Sequence, residues 1–228
     1  MIGESYLDIV TNEHYYLSDG GKIHFYYDED DAGYYLCNRY WNGKTSEYNS
    51  SEIREFRIPD TINGKPVIGI DGDTFDGMKN ISAFKVSTNN SYFSLYHGGL
   101  YSKDMKEIIQ MPPNYQEKPF HVPDCVEFIL DSAISCPTIE TLILSANCKK
   151  IYEYGIACVK SLKRIYIPKS VAFIGFKAFI WTTPEDVFYS GTESDREHIN
   201  FTDEGFNSGI LNAHWHYNCV HPVSELTS

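Results

Sequence analysis

The sequence predicts a mainly β solenoid of short strands with few or no regular helices. Three observations predict it. Segments beginning at Phe120, Leu142, Ile165 and Val187 start 22 or 23 residues apart. Each opens with an apolar–variable–apolar triplet, and further apolar columns then recur in register within the segments. A period of that length marks stacked coils, because one coil alone cannot bury its apolar face.

In chain order, residues 1–55 read as an N-terminal β cap over one open end of the stack. His14–Ser18, Asp19-Gly20-Gly21 and Lys22–Tyr27 give a β-hairpin with a glycine turn. Tyr34–Trp41 followed by Asn42-Gly43 gives another strand and turn.

Residues 56–190 read as the solenoid. Its triplets are Phe56-Arg57-Ile58, Phe84-Lys85-Val86, Phe120-His121-Val122, Leu142-Ile143-Leu144, Ile165-Tyr166-Ile167 and Val187-Phe188-Tyr189. Period-two alternation sends the first and third side chains inward and the middle one outward. Pro59, Pro123 and Pro168 follow directly; proline has no N–H to donate and so closes a strand. Val126, Cys148 and Val171 form the next inward column, and Ile70, Ile129, Ile151 and Ile174 the one after. Small residues at Ala133, Gly155 and Ala178 leave room for a tight turn. Phe75, Ile134, Ile156 and Phe179, then Ile81, Ile139 and Leu162, complete the core. An insert at about 87–118 breaks the period, with Gly98-Gly99 as the turn of a small hairpin. Residues 191–228 read as the second cap, ending in the strand-like Ala213–Cys219.

At these residues the chain resembles the BspA-like bacterial leucine-rich repeats of the Treponema pallidum type. The run from Leu162 through Ile165-Tyr166-Ile167-Pro168, Val171 and Ile174-Gly175 to Ala178-Phe179 follows that family's unit nearly throughout. Ile58–Val67 resembles its first coil. Gly99–Asp104 with Met111-Pro112-Pro113 resembles its insert, and Tyr189–Glu193 with Asn212–Asn218 its C-terminal cap. The likeness covers about residues 56–218. Gly155-Ile156 stands where the family has Ala-Phe, and Trp181-Thr182-Thr183-Pro184 where it has a cysteine-containing turn. The resemblance implies a bacterial cell-surface or secreted protein that contacts host or neighbouring-cell proteins through its repeat surface.

Composition bounds the partners. The chain has 228 residues, a net charge of −12, 18 tyrosines and 13 phenylalanines. An acidic, aromatic-rich chain is unsuited to nucleic acid, whose phosphates require clustered Lys and Arg. It is equally unsuited to anionic membrane surfaces. No apolar run approaches the ~18 residues that span a bilayer, so no membrane insertion is expected. Residues 1–20 show no basic segment followed by an apolar one, so the sequence reads as lacking a secretory leader. It therefore fits either a matured exported protein or an intracellular scaffold. Oligomeric state is not legible.

Candidate sites divide by chemistry. The outward strand positions Arg57, Lys85, His121, Ile143, Tyr166 and Phe188 should form one row, apolar and aromatic at one end. This is the expected protein-binding surface. His214, His216, Cys219 and His221 carry metal-ligand chemistry, imidazole and thiolate, and define the alternative of a metal-dependent enzyme. The favoured expectation is no metal, no cofactor and no catalysis. The sequence has neither a Gly-x-Ser-x-Gly elbow nor a phosphate-binding loop, and Glu153, Glu185 and Glu193 are scattered over turns. Asp28–Asp31 lacks the alternating ligand spacing of a calcium loop and reads as a solvated turn. Cys136 and Cys158 hold matching turn positions, either close enough for a disulfide or simply buried thiols.

Overall fold

A computed structural model describes residues 53–220 and 222, together with the strands Ser5–Asp8, Glu13–Ser18, Gly21–Asp28 and Gly33–Cys37. Side chains are described at 33–37, at 53–220 and at 222.

The triplets form strands whose register follows the repeat. Pro119–His121, Thr141–Ile143, Arg164–Ile167, Asp186–Tyr189 and His214–His216 make a five-stranded parallel sheet. Phe120, Leu142, Ile165, Val187 and Trp215 are cross-strand partners along it. The first four are at most 1% exposed. Burying one such aliphatic or aromatic side chain is worth roughly 1.5–3 kcal/mol. The column therefore holds each coil to the next.

A second ladder runs through the core isoleucines. Phe128–Ile129, Lys150–Ile151, Phe173–Ile174 and Asn200–Phe201 pair in parallel, although each is only two residues long. Ile129, Ile151 and Ile174 are fully buried. The turns between ladders approach closely: a Cβ on Gly175 would lie 2.8 Å from the Tyr152 carbonyl carbon. Ser132, Tyr154 and Lys177 take positive φ at one turn position of successive coils, and Cys158 and Trp181 do so at another.

The insert belongs to the stack. Phe93–Tyr96 and Gly99–Ser102 form a hairpin, and Glu107–Gln110 pairs antiparallel with it and parallel with Phe128–Ile129. The turn residues are His97 and Gly98, at φ 46° and 78°, one position before the expected Gly98-Gly99. Positive φ at both central residues is what a two-residue hairpin turn requires. Gly99 instead opens the second strand, where a Cβ would lie 2.6 Å from Met111 Sδ.

Its two inner strands, Gly99–Ser102 and Glu107–Gln110, are buried on both faces. Leu100 and Ile109 join a core cluster with Phe56, Phe75 and Phe84. Their neighbours Tyr101 and Ile108 join the larger cluster that runs to Ile210. The insert is thus a partition between two cores. Its position coincides with a break in the first ladder. Glu55–Arg57 and Ala83–Lys85 pair only with each other, in a separate two-stranded sheet.

At the N-terminal end, Glu13–Ser18 and Gly21–Asp28 pair antiparallel with Ser18 opposite Gly21, as the hairpin expectation requires. Gly33–Cys37 then pairs in parallel with Lys65–Ile70, joining this sheet to the first coil. Residues 19–20, 29–32 and 38–52 lie outside the described residues. They include the Asp19-Gly20 turn, most of the acidic run and Asn42-Gly43. At the other end, helices Glu193–Arg196 and Ser208–Leu211 precede the last strand. Asn207 is fully buried there. Its amide donates to the Gly175 and Asp203 carbonyls at 3.0 and 2.8 Å, and its oxygen accepts from Phe179 N at 3.0 Å.

Candidate functional site

The outward positions of the five-stranded sheet form one register column: His121, Ile143, Tyr166, Phe188 and His216. Of the row expected from the sequence, His121, Ile143, Tyr166 and Phe188 share this register. Arg57 and Lys85 lie apart, on the two-stranded sheet, where Lys85 pairs with Glu55 at 2.5 Å. The row is broken because the insert separates Ala83–Lys85 from Pro119–His121. Ile143 is also corrected: it is only 7% exposed. It sits between the larger rings of His121 and Tyr166 in the column and offers little accessible surface.

His216 extends the row. Phe188 stacks on Tyr166 at 4.7 Å between ring centroids and on His216 at 4.8 Å, with interplanar angles of 15° and 13°. The three rings form one stacked pile, in which Tyr166 and Phe188 are half-buried and His216 is exposed. Beside it runs a second outward column of Thr141, Arg164, Asp186 and His214. Asp186 Oδ1 lies 2.7 Å from His216 Nε2, tying the columns together. Arg164 is exposed and takes part in no ion pair among the described residues.

Of the C-terminal histidines, His214 and His216 are described. His214 and His216 share the outward face with ring centroids 6.3 Å apart, and His216 is engaged by Asp186. The Cys219 thiol donates to the His216 carbonyl at 3.3 Å. His221 lies outside the described residues. Among those described, no group of three or more His, Cys, Asp or Glu is placed to hold a metal ion.

The remaining thiols are unbonded, and the carboxylates that the sequence singled out lie in different places. Cys136 and Cys158 are free thiols. The Cys136 thiol donates to the Pro112 carbonyl at 3.3 Å, and burial pushes it up to about 12. Burial likewise raises Cys148 to about 12. Such thiols stay protonated and unreactive near neutral pH. Glu153 lines a cavity of about 520 Å³ with Asp71, Asp73 and Asp131. Glu185 lines another, of about 760 Å³. Glu193 lies in the first turn of a four-residue helix.

Two carboxylates act between coils. Glu127 is bonded by Lys106 from the insert on one side and by Lys149 from the following coil on the other. Glu140 is bonded in the same way by Lys118 and Lys163. The bond from Lys149 and then that from Lys106 hold the Glu127 carboxyl below its ordinary value, as Lys118 and then Lys163 do for Glu140.

Comparison with known proteins bears on the fold. No family model matches the sequence, and no curated protein does. A leucine-rich repeat protein from Eubacterium ventriosum matches in structure with a TM-score of 0.51 at 18% identity, over 60% of this chain and 36% of that one. A leucine-rich cell surface protein from Faecalibacterium prausnitzii gives 0.45 at 19% identity, over 66% of this chain and 51% of that one. The pneumococcal vaccine antigen PcpA gives 0.41 at 11% identity, over 76% and 56% of the two chains. The chain thus spans between about a third and about half of these structures. Its fold is a leucine-rich repeat solenoid, a class defined here by the parallel ladders and their stacked apolar columns.

Proposed function

We propose that this chain is a non-enzymatic protein-binding module, and that its contact surface is the outward face of the five-stranded sheet. The observation that carries the reading is the pile of Tyr166, Phe188 and His216 beside Arg164. Rings held by stacking lose little freedom on binding, which lowers the entropic cost of association. Aromatic residues and arginine are also the side chains most often found at interface centres. The reading extends to a bacterial surface or secreted protein whose partners are host extracellular or neighbouring-cell proteins. The sequence resemblance supports that extension.

The test is binding of the purified chain to fractionated extracellular-matrix and plasma proteins, measured by surface plasmon resonance. Tyr166→Ala with Phe188→Ala and, separately, Arg164→Glu should each weaken a detected partner by roughly tenfold or more. Asn200→Asp, on the other ladder, should not. A partner held equally well by both strip variants, with circular dichroism unchanged, removes the strip as the contact surface.

A further inference from the structure

Trp181 is 69% exposed, far more than any other described tryptophan or phenylalanine. It sits at φ 54°, a left-handed conformation that bulky side chains rarely adopt. Cys158 holds the same turn position one coil earlier, at φ 60°. Cys136, at the matching position one coil earlier still, has no positive φ, so the turn demands neither that conformation nor an indole. A costly residue that packs little points to a role outside the fold.

Trp181 stands between two grooves. One, of about 680 Å³, is lined by Pro113 and Pro137 together with Lys79 and Lys160. Both lysines are exposed, and neither is in an ion pair among the described residues. No carboxylate lines this groove, although the chain carries a net charge of −12; the nearest charge of that sign is Asp76, close enough to act on Cys158 in the lining. The groove on the other side of the indole has Phe206 and the carboxylate of Glu185.

We propose that the groove between Lys79, Lys160 and Trp181 is a second contact site, which takes an extended acidic peptide segment bearing an apolar side chain. The apolar side chain lies against the indole and prolines, and flanking carboxylates meet the two ammonium groups. Charge complementarity selects this groove over its neighbour, where Glu185 repels the same segment. Lysine suits scattered carboxylates, since it acts as a point charge on a flexible stem. An acidic glycan fits less well. Its many hydroxyls need several fixed polar partners, and the uncharged polar side chains lining this groove are Asn114 and Ser135 alone.

The experiment is calorimetric titration of the full chain with short synthetic peptides and with hyaluronan. A Glu/Asp-rich peptide with one central Phe should bind, and its affinity should fall as salt rises. A Lys-rich peptide with the same Phe should not bind. Trp181→Ala and Lys79→Glu with Lys160→Glu should each weaken the acidic peptide by roughly tenfold or more. Glu185→Gln should leave it unchanged or slightly tighter. Absence of binding overturns the proposal, as does affinity indifferent to both the indole and lysine variants. Hyaluronan binding as tightly as the acidic peptide makes the groove a glycan site and overturns it too.

Discussion

At the residue scale, the sequence made most of the core legible and a few side chains illegible. Inward columns such as Phe120, Leu142, Ile165 and Val187 could be read because every coil repeats the demand for an apolar group. Tyr101 could not. It is fully buried, yet its hydroxyl has no hydrogen-bond partner among the described residues. Burial, then the neighbouring Tyr115, Cys125 and Tyr96, push its phenol far above the ordinary value. An unpaired buried hydroxyl costs about 1–3 kcal/mol. Tyr101→Phe keeps the ring and deletes that cost, so denaturant unfolding should show a gain of about 1 kcal/mol. A loss of that size instead would mean that the hydroxyl is hydrogen-bonded in solution. His216 was missed as a strip residue for a different reason. It follows Phe188 by more than the 22 or 23 residues of the repeat, because both cap helices intervene. The signal was present, since His-Trp-His repeats the inward-middle pattern shifted by one position, with Trp215 packed on the core.

At the element scale, two kinds of ladder hold the coils together, and their contributions differ. The isoleucine ladder is dry: Ile174 is fully buried between Ile151 and the last coil. Ile174→Ala should cost about 2–5 kcal/mol, as for other buried large-to-small changes. A neutral result in urea unfolding would contradict the column. This ladder's strands were not legible as strands, because a two-residue pairing has no alternation to detect. The ionic ladder is wet. In Lys106–Glu127–Lys149 and Lys118–Glu140–Lys163 the lysines are exposed and the glutamates lie at the surface, so each should contribute little and be screened by salt. Both glutamates are held below their ordinary value of 4.5. A depressed carboxyl adds stability that is present above its unfolded value and is lost as pH falls through its folded value. Glu127→Gln with Glu140→Gln should therefore lower the thermal midpoint slightly at about pH 7, with the difference closing as pH drops below 4.5. A difference that persists at the acid end, or that ignores salt, would mean that packing rather than charge is being measured.

At the scale of the whole molecule, the insert decides how the chain unfolds. Repeat arrays behave as rows of neighbours, and their cooperativity fails where one interface is weak. Here the first ladder is interrupted between Ala83–Lys85 and Pro119–His121. The insert bridges that gap, with Leu100 and Ile109 in one core and the adjacent Tyr101 and Ile108 in the other. This role was hidden in the sequence because a strand buried on both faces reads as an unbroken apolar run rather than as an alternation. Strand pairing within the insert fixes the two sets of side chains to one backbone, so the intact chain should unfold in a single calorimetric transition. Leu100→Ala with Ile109→Ala removes packing from the Phe56 cluster alone. The doubly substituted chain should then show two transitions. Hydrogen exchange should rise first at strands Glu55–Arg57 and Ala83–Lys85 while Ile129, Ile151 and Ile174 stay protected. If exchange rises evenly across both clusters at one lowered midpoint, the partition does not separate the cores, and the stack melts as a single unit despite the broken ladder.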